Sequence, residues 1–228
     1  MTSEAFLREQ DLINNPTTRV PVCLCLDTSG SMDGPPINEL NKGVQQFFQE
    51  LMKDDVARYA AEISVVTFGD TVNCIQDFCD LGRQNLTRTL PAYGGTPMGE
   101  ALILSLDKLE RRKQEYQNAG VDYFQPWLII MTDGQPNGDS AILQTAIKRA
   151  SELQVQKKLA IFPIGIGKDA DMDVLQLISP ARQPLRLKGL KFEEFFLWLS
   201  RSVSRTSQSM PGEEIKLDMS GISSWATL

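Results

Sequence analysis

Hydrophobic and polar positions along the chain fall into two alternating rhythms, short apolar runs and three- to four-residue repeats, and their order predicts the architecture. Val20 to Leu26 is a short, β-branched apolar run bounded by Asp27-Thr28-Ser29-Gly30-Ser31, the pattern of a buried strand that ends in a polar loop. From Pro36 the rhythm changes. Ile37, Leu40, Val44, Phe47, Phe48 and Leu51 recur at helical spacing, behind two prolines suited to a first turn. Ala61 to Phe68 reads as a second strand, and Thr71 to Leu81 as a third, polar enough on alternate positions to lie at an edge. Tyr93-Gly94-Gly95-Thr96-Pro97 then opens a long helix through Leu109. Trp127 to Met131 is a fourth strand, followed by the loop Thr132 to Pro136 and a helix that Asp139 or Ser140 caps. Leu159 to Ile166 is a fifth strand, Asp171 to Ile178 a short helix, Leu185 to Leu187 a sixth strand, and Lys191 to Val203 a closing helix rich in aromatics.

Strands that alternate with helices predict an α/β, doubly wound and mostly parallel six-stranded sheet, flanked by helices and carrying one antiparallel edge strand. The domain is expected over residues 20–203. Residues 1–19 read as a polar leader and 204–228 as a Ser-rich, weakly periodic tail, disordered or laid along a partner.

Composition narrows the chemistry. Among 228 residues there is no histidine, which excludes Ser-His-Asp and Cys-His catalytic units and His-ligated zinc or haem. With 23 Lys+Arg against 29 Asp+Glu the net charge is −6, and no dense basic face is available for nucleic acid or an anionic membrane. The one basic cluster, Arg111-Arg112-Lys113, lies between Glu110 and Glu115 and reads as a solvated helix face. The first residues lack a basic stretch followed by an apolar one, and no apolar run is long enough to span a bilayer, so a cytoplasmic location is expected. Cys23, Cys25, Cys74 and Cys79 sit in apolar or strand-like stretches and read as reduced core thiols. A zinc site built from them is disfavoured because Cys74 and Cys79 have opposite strand parity.

Three polar loops fall on the carboxyl edge of the expected sheet, where open α/β folds gather ligands: Asp27-x-Ser29-x-Ser31, Thr96 and Asp133. Their side chains offer only oxygen, the donor set of a hard divalent cation such as Mg2+, with Mn2+ or Ca2+ as alternatives. Two carboxylates balance the ion's charge, and three neutral hydroxyls leave room for water and for a carboxylate from another protein. Gly30, Gly94, Gly95 and Gly134 flank these residues, where the backbone has to turn tightly or approach an ion.

Three local patterns compete for attention. Gly165-x-Gly167-x-x-Ala170 fits a dinucleotide fingerprint, but it follows the fifth strand and leads into a short helix, so a tight turn is preferred. Asp133 to Asp139 hints at a calcium loop that Pro136 and the missing closing Glu spoil. Asp169, Asp171 and Asp173 offer carboxylates for a second ion, but such a cluster more often favours a helix N-terminus through its dipole.

At Asp27, Ser29, Ser31, Thr96 within Gly-Gly-Thr-Pro, and Asp133 within Thr-Asp-Gly, the sequence resembles the von Willebrand factor A family over roughly residues 20 to 203. The resemblance implies a metal-ion-dependent adhesion site. Ser29, Ser31 and often Thr96 would touch the ion, Asp27 and Asp133 would act directly or through water, and the sixth position would stay open to a partner's Asp or Glu. Within the family the phrases around these residues look most like bacterial TerY-like and YegL-like stand-alone domains. That likeness implies a stress-response or tellurium-resistance setting, with a protein kinase and a protein phosphatase of the same gene cluster as candidate partners. The competing reading is a Mg2+-dependent hydrolase or phosphoryl-transfer enzyme with Asp27 as nucleophile. Against it, Ser29 stands where such a mechanism wants a second Asp.

Overall fold

Every position of the first strand, Val20–Asp27 (β1), is buried, as befits a strand covered on both faces. Val20, Val22, Leu24 and Leu26 point to one face, Cys23 and Cys25 to the other. The computed structural model describes residues 12, 14, 15, 17–83, 89–209 and 222–227.

The remaining strands are Ala61–Phe68 (β2), Val72–Gln76 (β3), Trp127–Thr132 (β4), Ala160–Ile166 (β5), Leu185–Leu187 (β6) and Ala226–Thr227 (β7). They form one sheet in the order β3-β2-β1-β4-β5-β6-β7. β1 pairs in parallel with β2 and with β4, so connections leave it toward opposite edges. This is the switch point at which α/β sheets open a crevice beyond the strand ends.

Helices Pro35–Lys53 (α1), Ala57–Ala60 (α2), Met98–Ala119 (α3), Ser140–Val155 (α4), Met172–Ile178 (α5), Phe192–Ser207 (α6) and Ile222–Trp225 (α7) accompany the sheet, with 3-10 turns at Gly30–Met32 and Leu81–Arg83. Ile37, Leu40, Val44, Phe47 and Leu51 of α1 pack with Phe192, Phe195, Phe196 and Leu199 of α6 over the even-numbered β1 side chains. Leu102, Leu106 and Leu109 of α3 and Ala146 and Ala150 of α4 cover the Cys23–Cys25 face. Asp139 caps α4 by accepting from the Ala141 and Ile142 amides, and Asp171 caps α5 by accepting from Val174. Among the described residues no helix is long and apolar enough to cross a membrane.

The sheet has seven strands where six were expected, and both edges are antiparallel. β3 ends at Gln76, short of the expected Leu81, where a 3-10 turn begins at Leu81. The seventh strand comes from the segment read as a tail. α6 runs on to Ser207, and after residues outside the described set the chain returns as α7 and β7. Trp225 packs edge-on against Phe195, with ring centroids 5.3 Å apart, and at 5.5 Å from Trp198. The Lys188 amide donates to the Trp225 carbonyl at 2.7 Å. Surrounding serines dilute this one apolar cluster below what a periodicity argument detects.

The basic cluster is also different from the solvated face expected of it. Arg112 is 1% exposed and Lys113 nearly buried. Glu62, near the start of β2, accepts from Arg112 Nε at 2.6 Å and Nη2 at 2.9 Å, from Arg19 Nε at 3.0 Å and from the Tyr116 hydroxyl at 2.6 Å. The buried carboxylate, not solvent, dictates which way Arg112 faces. Cys23 and Cys25 are buried, and none of the four cysteines is joined in a disulfide. Burial pushes the Cys25 thiol up to about 12. Among the described residues no group of three or more Cys, Asp or Glu is arranged to hold a metal.

Candidate metal centre

The β1 chain leaves the sheet at Asp27, whose side chain is fully buried. Its Oδ1 accepts from the Ser29 amide at 2.8 Å, and its Oδ2 accepts from the Thr132 hydroxyl at 2.5 Å. The first bond bends the loop tightly enough to bring Ser29 and Ser31 onto one side, with their hydroxyl oxygens 3.0 Å apart. The Ser31 hydroxyl donates to Asp133 Oδ1 at 2.7 Å, which joins the loop after β1 to the loop after β4. Adjacent strands bring them together, because β1 and β4 pair with Leu26 opposite Met131.

Thr96 arrives from a third loop. The Tyr93 amide donates to the Thr28 carbonyl at 2.9 Å, Gly30 donates to the Gly94 carbonyl at 3.0 Å, and the Asp70 amide donates to the Tyr93 carbonyl at 3.1 Å. Gly94 has φ +82°, and a Cβ there would lie 2.2 Å from the Asp70 nitrogen, so only glycine fits this clamp. A Cβ built on Gly134 would sit 3.8 Å from Thr96 Oγ1 and 3.9 Å from Ser31 Oγ. Both hydroxyls therefore border the same small space over Gly134. All five sequence-predicted residues share one end of the sheet: Asp27, Ser29, Ser31 and Asp133 in one connected set, with Thr96 facing it.

Burial is the main influence on both carboxyls. It pushes Asp27 up to about 6 against the opposing pull of Ser29 and Thr132. Asp133 is raised as well, first by burial, with Ser31 pulling it down and Asp169 adding to the rise. Among the described residues neither the buried Asp27 nor the half-buried Asp133 has an ion-pair partner, and a cation would supply the positive charge.

The donor set fits such an ion. Mg2+ holds oxygens at about 2.0–2.1 Å in near-octahedral geometry, which puts adjacent ligands about 2.9 Å apart. The Ser29, Ser31 and Asp133 oxygens are hydrogen-bonded to one another at 3.0 and 2.7 Å, close enough together for one small oxygen-seeking cation to take the place of those bonds.

Beside the site lies an open cleft of about 760 Å3, lined by Ser31, Asp133, Gly134, Lys168, Asp169 and Arg186 among others. Its far wall is formed by Lys168 to Asp173, which follow a turn with Gly167 at φ +69° that Arg186 braces by donating to the Gly167 and Ala170 carbonyls.

Two contributors escape a reading of motifs. Thr132 stands inside Thr-Asp-Gly, and its role is visible only once strand register sets it beside Asp27. Asn137 accepts from the Thr96 amide at 2.6 Å, a contact between residues 41 positions apart that leaves no local signal.

Comparison with known proteins agrees with this architecture. The von Willebrand factor type A domain model matches residues 22–192. Inter alpha-trypsin inhibitor heavy chain 4 of Mus musculus is 24% identical over 178 residues, which is 73% of this chain and 17% of that protein. An uncharacterized protein of Synechocystis sp. is 26% identical over 172 residues, 72% of this chain and 37% of its own length. The chain thus spans well under half of these relatives. Among solved structures, a von Willebrand factor type A protein from Catenulispora acidiphila aligns with TM-score 0.60 and 19% identity, covering 82% of this chain and 43% of that one. The pilus adhesin SpaC from Lactobacillus rhamnosus GG aligns with TM-score 0.63 and 14% identity, covering 83% and 30%.

Proposed function

The chain belongs to the von Willebrand factor type A domain family, and on that premise we propose that it is a protein-interaction module that captures a partner's Asp or Glu through a divalent cation held by Asp27, Ser29, Ser31, Thr96 and Asp133. Domains of this family typically mediate metal-dependent protein interactions and are generally not enzymes. The observation that carries the reading is the convergence of five oxygen-bearing side chains from three loops at the sheet's switch point, with hydroxyl and carboxylate oxygens 2.7–3.0 Å apart. Mg2+ is the first ion to try, with Mn2+ and Ca2+ as alternatives, because every donor is a carboxylate or hydroxyl oxygen. Ser29 and Ser31 would hold the ion directly, while buried Asp27 would orient Ser29 and supply balancing charge.

Asp27 is a poor nucleophile. Both its oxygens are engaged, and no face of it reaches solvent. This favours binding over phosphoryl transfer.

The proposed setting is the cytoplasm of a bacterium, in a stress or tellurium-resistance system. The kinase or phosphatase of the same cluster are the first partners to try. Four cysteines outside any disulfide, and the resemblance of the phrases around the site to TerY-like domains, support this placement. The likeness to the pilus adhesin, at 14% identity, carries the fold and not the location. The test is capture of each purified candidate in millimolar Mg2+ and in EDTA, by wild type and Asp133→Ala. Mg2+-dependent capture lost in the variant supports the reading. Capture indifferent to EDTA and to the substitution refutes it.

A further inference from the structure

Three loops build the site, and two of them are joined by a residue that offers no atom to the ion. Asn137 lies in the loop that begins with Asp133. Its Oδ1 accepts from the Thr96 amide at 2.6 Å, and its own amide donates to the Thr96 carbonyl at 3.1 Å. One residue thus grips both polar groups of the Thr96 backbone. The amide side chain lies over Gly95, where a Cβ would come within 2.8 Å of Oδ1, so glycine at 95 is what admits the grip. Beneath the same loop, Glu100 of α3 closes on Gly138, where a Cβ would meet Oε2 at 2.7 Å.

We propose that Asn137 is a positioning residue for the cation site: by fastening the Asp133 loop to the Thr96 backbone, it holds the ligands of two separate loops as one rigid unit. The inference rests on the cation-binding reading of the site. Without the side-chain acceptor, the buried Thr96 amide loses its partner, and only the backbone bond from the Asn137 amide to the Thr96 carbonyl is left to hold the Thr96 hydroxyl relative to Asp133. Ligands that must be ordered at the moment of binding cost affinity. Loss of such an outer partner typically weakens metal affinity by about 10–100-fold. The loop between Asp133 and the Asp139 cap of α4 is short, so the grip at Asn137 also fixes where Asp133 starts.

The test is calorimetric titration of the full chain with Mg2+, and separately with Mn2+, for wild type, Asn137→Ala and Asn137→Asp, together with each protein's melting temperature in EDTA. Asp keeps the acceptor for the Thr96 amide. The expected result is a Kd about 10–100-fold weaker in Asn137→Ala. Asn137→Asp should stay within about fivefold of wild type, the range an exposed charge can add or remove. A merely structural role would lower the EDTA melting temperature of Asn137→Ala and leave its Kd alone, and that result overturns the proposal. So does equal weakening in both variants. Should Asn137→Ala not fold, Asn137→Gln, which carries the acceptor one carbon too far, takes its place with the same expectation. If wild type itself takes up neither ion, the cation reading fails, whereas ion uptake equal in wild type and Asn137→Ala removes only the role of Asn137.

Discussion

Replacing Asp27 by Asn should act in opposite directions on the ion-free and ion-loaded protein. In the folded, ion-free chain, burial holds the Asp27 carboxyl up to about 6 against an ordinary 3.8. The folded state therefore binds this proton more tightly than the unfolded state, and stability is lost as pH rises from about 4 to about 6. Above pH 6 the full penalty remains. At about 1.4 kcal/mol per pH unit it comes to about 3 kcal/mol. Asn has nearly the same shape, carries no charge, can still accept from the Ser29 amide, and can donate to the Thr132 oxygen. Asp27→Asn should therefore stabilise the protein in EDTA at pH 7.5 by up to about 3 kcal/mol, or about 6–12 °C in Tm for a chain of this size. The assay is thermal unfolding of both proteins in EDTA from pH 4 to pH 8. The advantage of the variant should be absent near pH 4, grow to pH 6 and then level off. Millimolar Mg2+ should erase it, because wild type gains from binding and the variant does not. A variant less stable than wild type in EDTA at pH 7.5, or a difference that ignores pH, would refute the claim that Asp27 is a desolvated charge awaiting a cation.

Other perturbations separate the site from its scaffold. Glu62→Gln leaves Arg19 and Arg112 buried with less compensating charge and should cost about 3–5 kcal/mol in urea unfolding. Its Mg2+ response should survive, because Pro21, opposite Glu62, stands six residues or about 20 Å before Asp27 along β1. Trp225→Ala should destabilise by about 3–5 kcal/mol through lost packing against Phe195 and Trp198, measured the same way, whereas exposed Leu177→Ala should stay within about 0.5 kcal/mol. Gly94→Ala forces a side chain onto the Asp70 backbone at a left-handed φ and should lower both Tm in EDTA and Mg2+ affinity, read by unfolding and calorimetry.

Much of this arrangement is legible in the linear chain, and the exceptions share a cause. Asp27, Ser29 and Ser31 lie within five residues of a strand end, and Asp133 follows another, so local pattern and the rule for strand ends suffice to bring them to one edge. Arg112 shows the limit of that logic: between glutamates it reads as solvated, yet a carboxylate 50 positions away buries it. β7 fails for the same reason. Two residues have no periodicity, and they form a strand because the edge of β6 is open beside a pocket between Phe195 and Trp198 that accepts Trp225. Thr132 and Asn137 complete the site through contacts across 105 and 41 positions. What a motif conveys is which atoms meet the ion. What holds those atoms is written in strand register and loop packing.

The most direct test of the account is the Mg2+-dependent shift in melting temperature of wild type beside Asp133→Ala and the double variant Ser29→Ala/Ser31→Ala. At an ion concentration about a hundredfold above Kd, linkage gives about 2.7 kcal/mol. Wild type should therefore melt about 5–10 °C higher than in EDTA, and neither variant should shift. An equal rise in all three proteins would contradict the site.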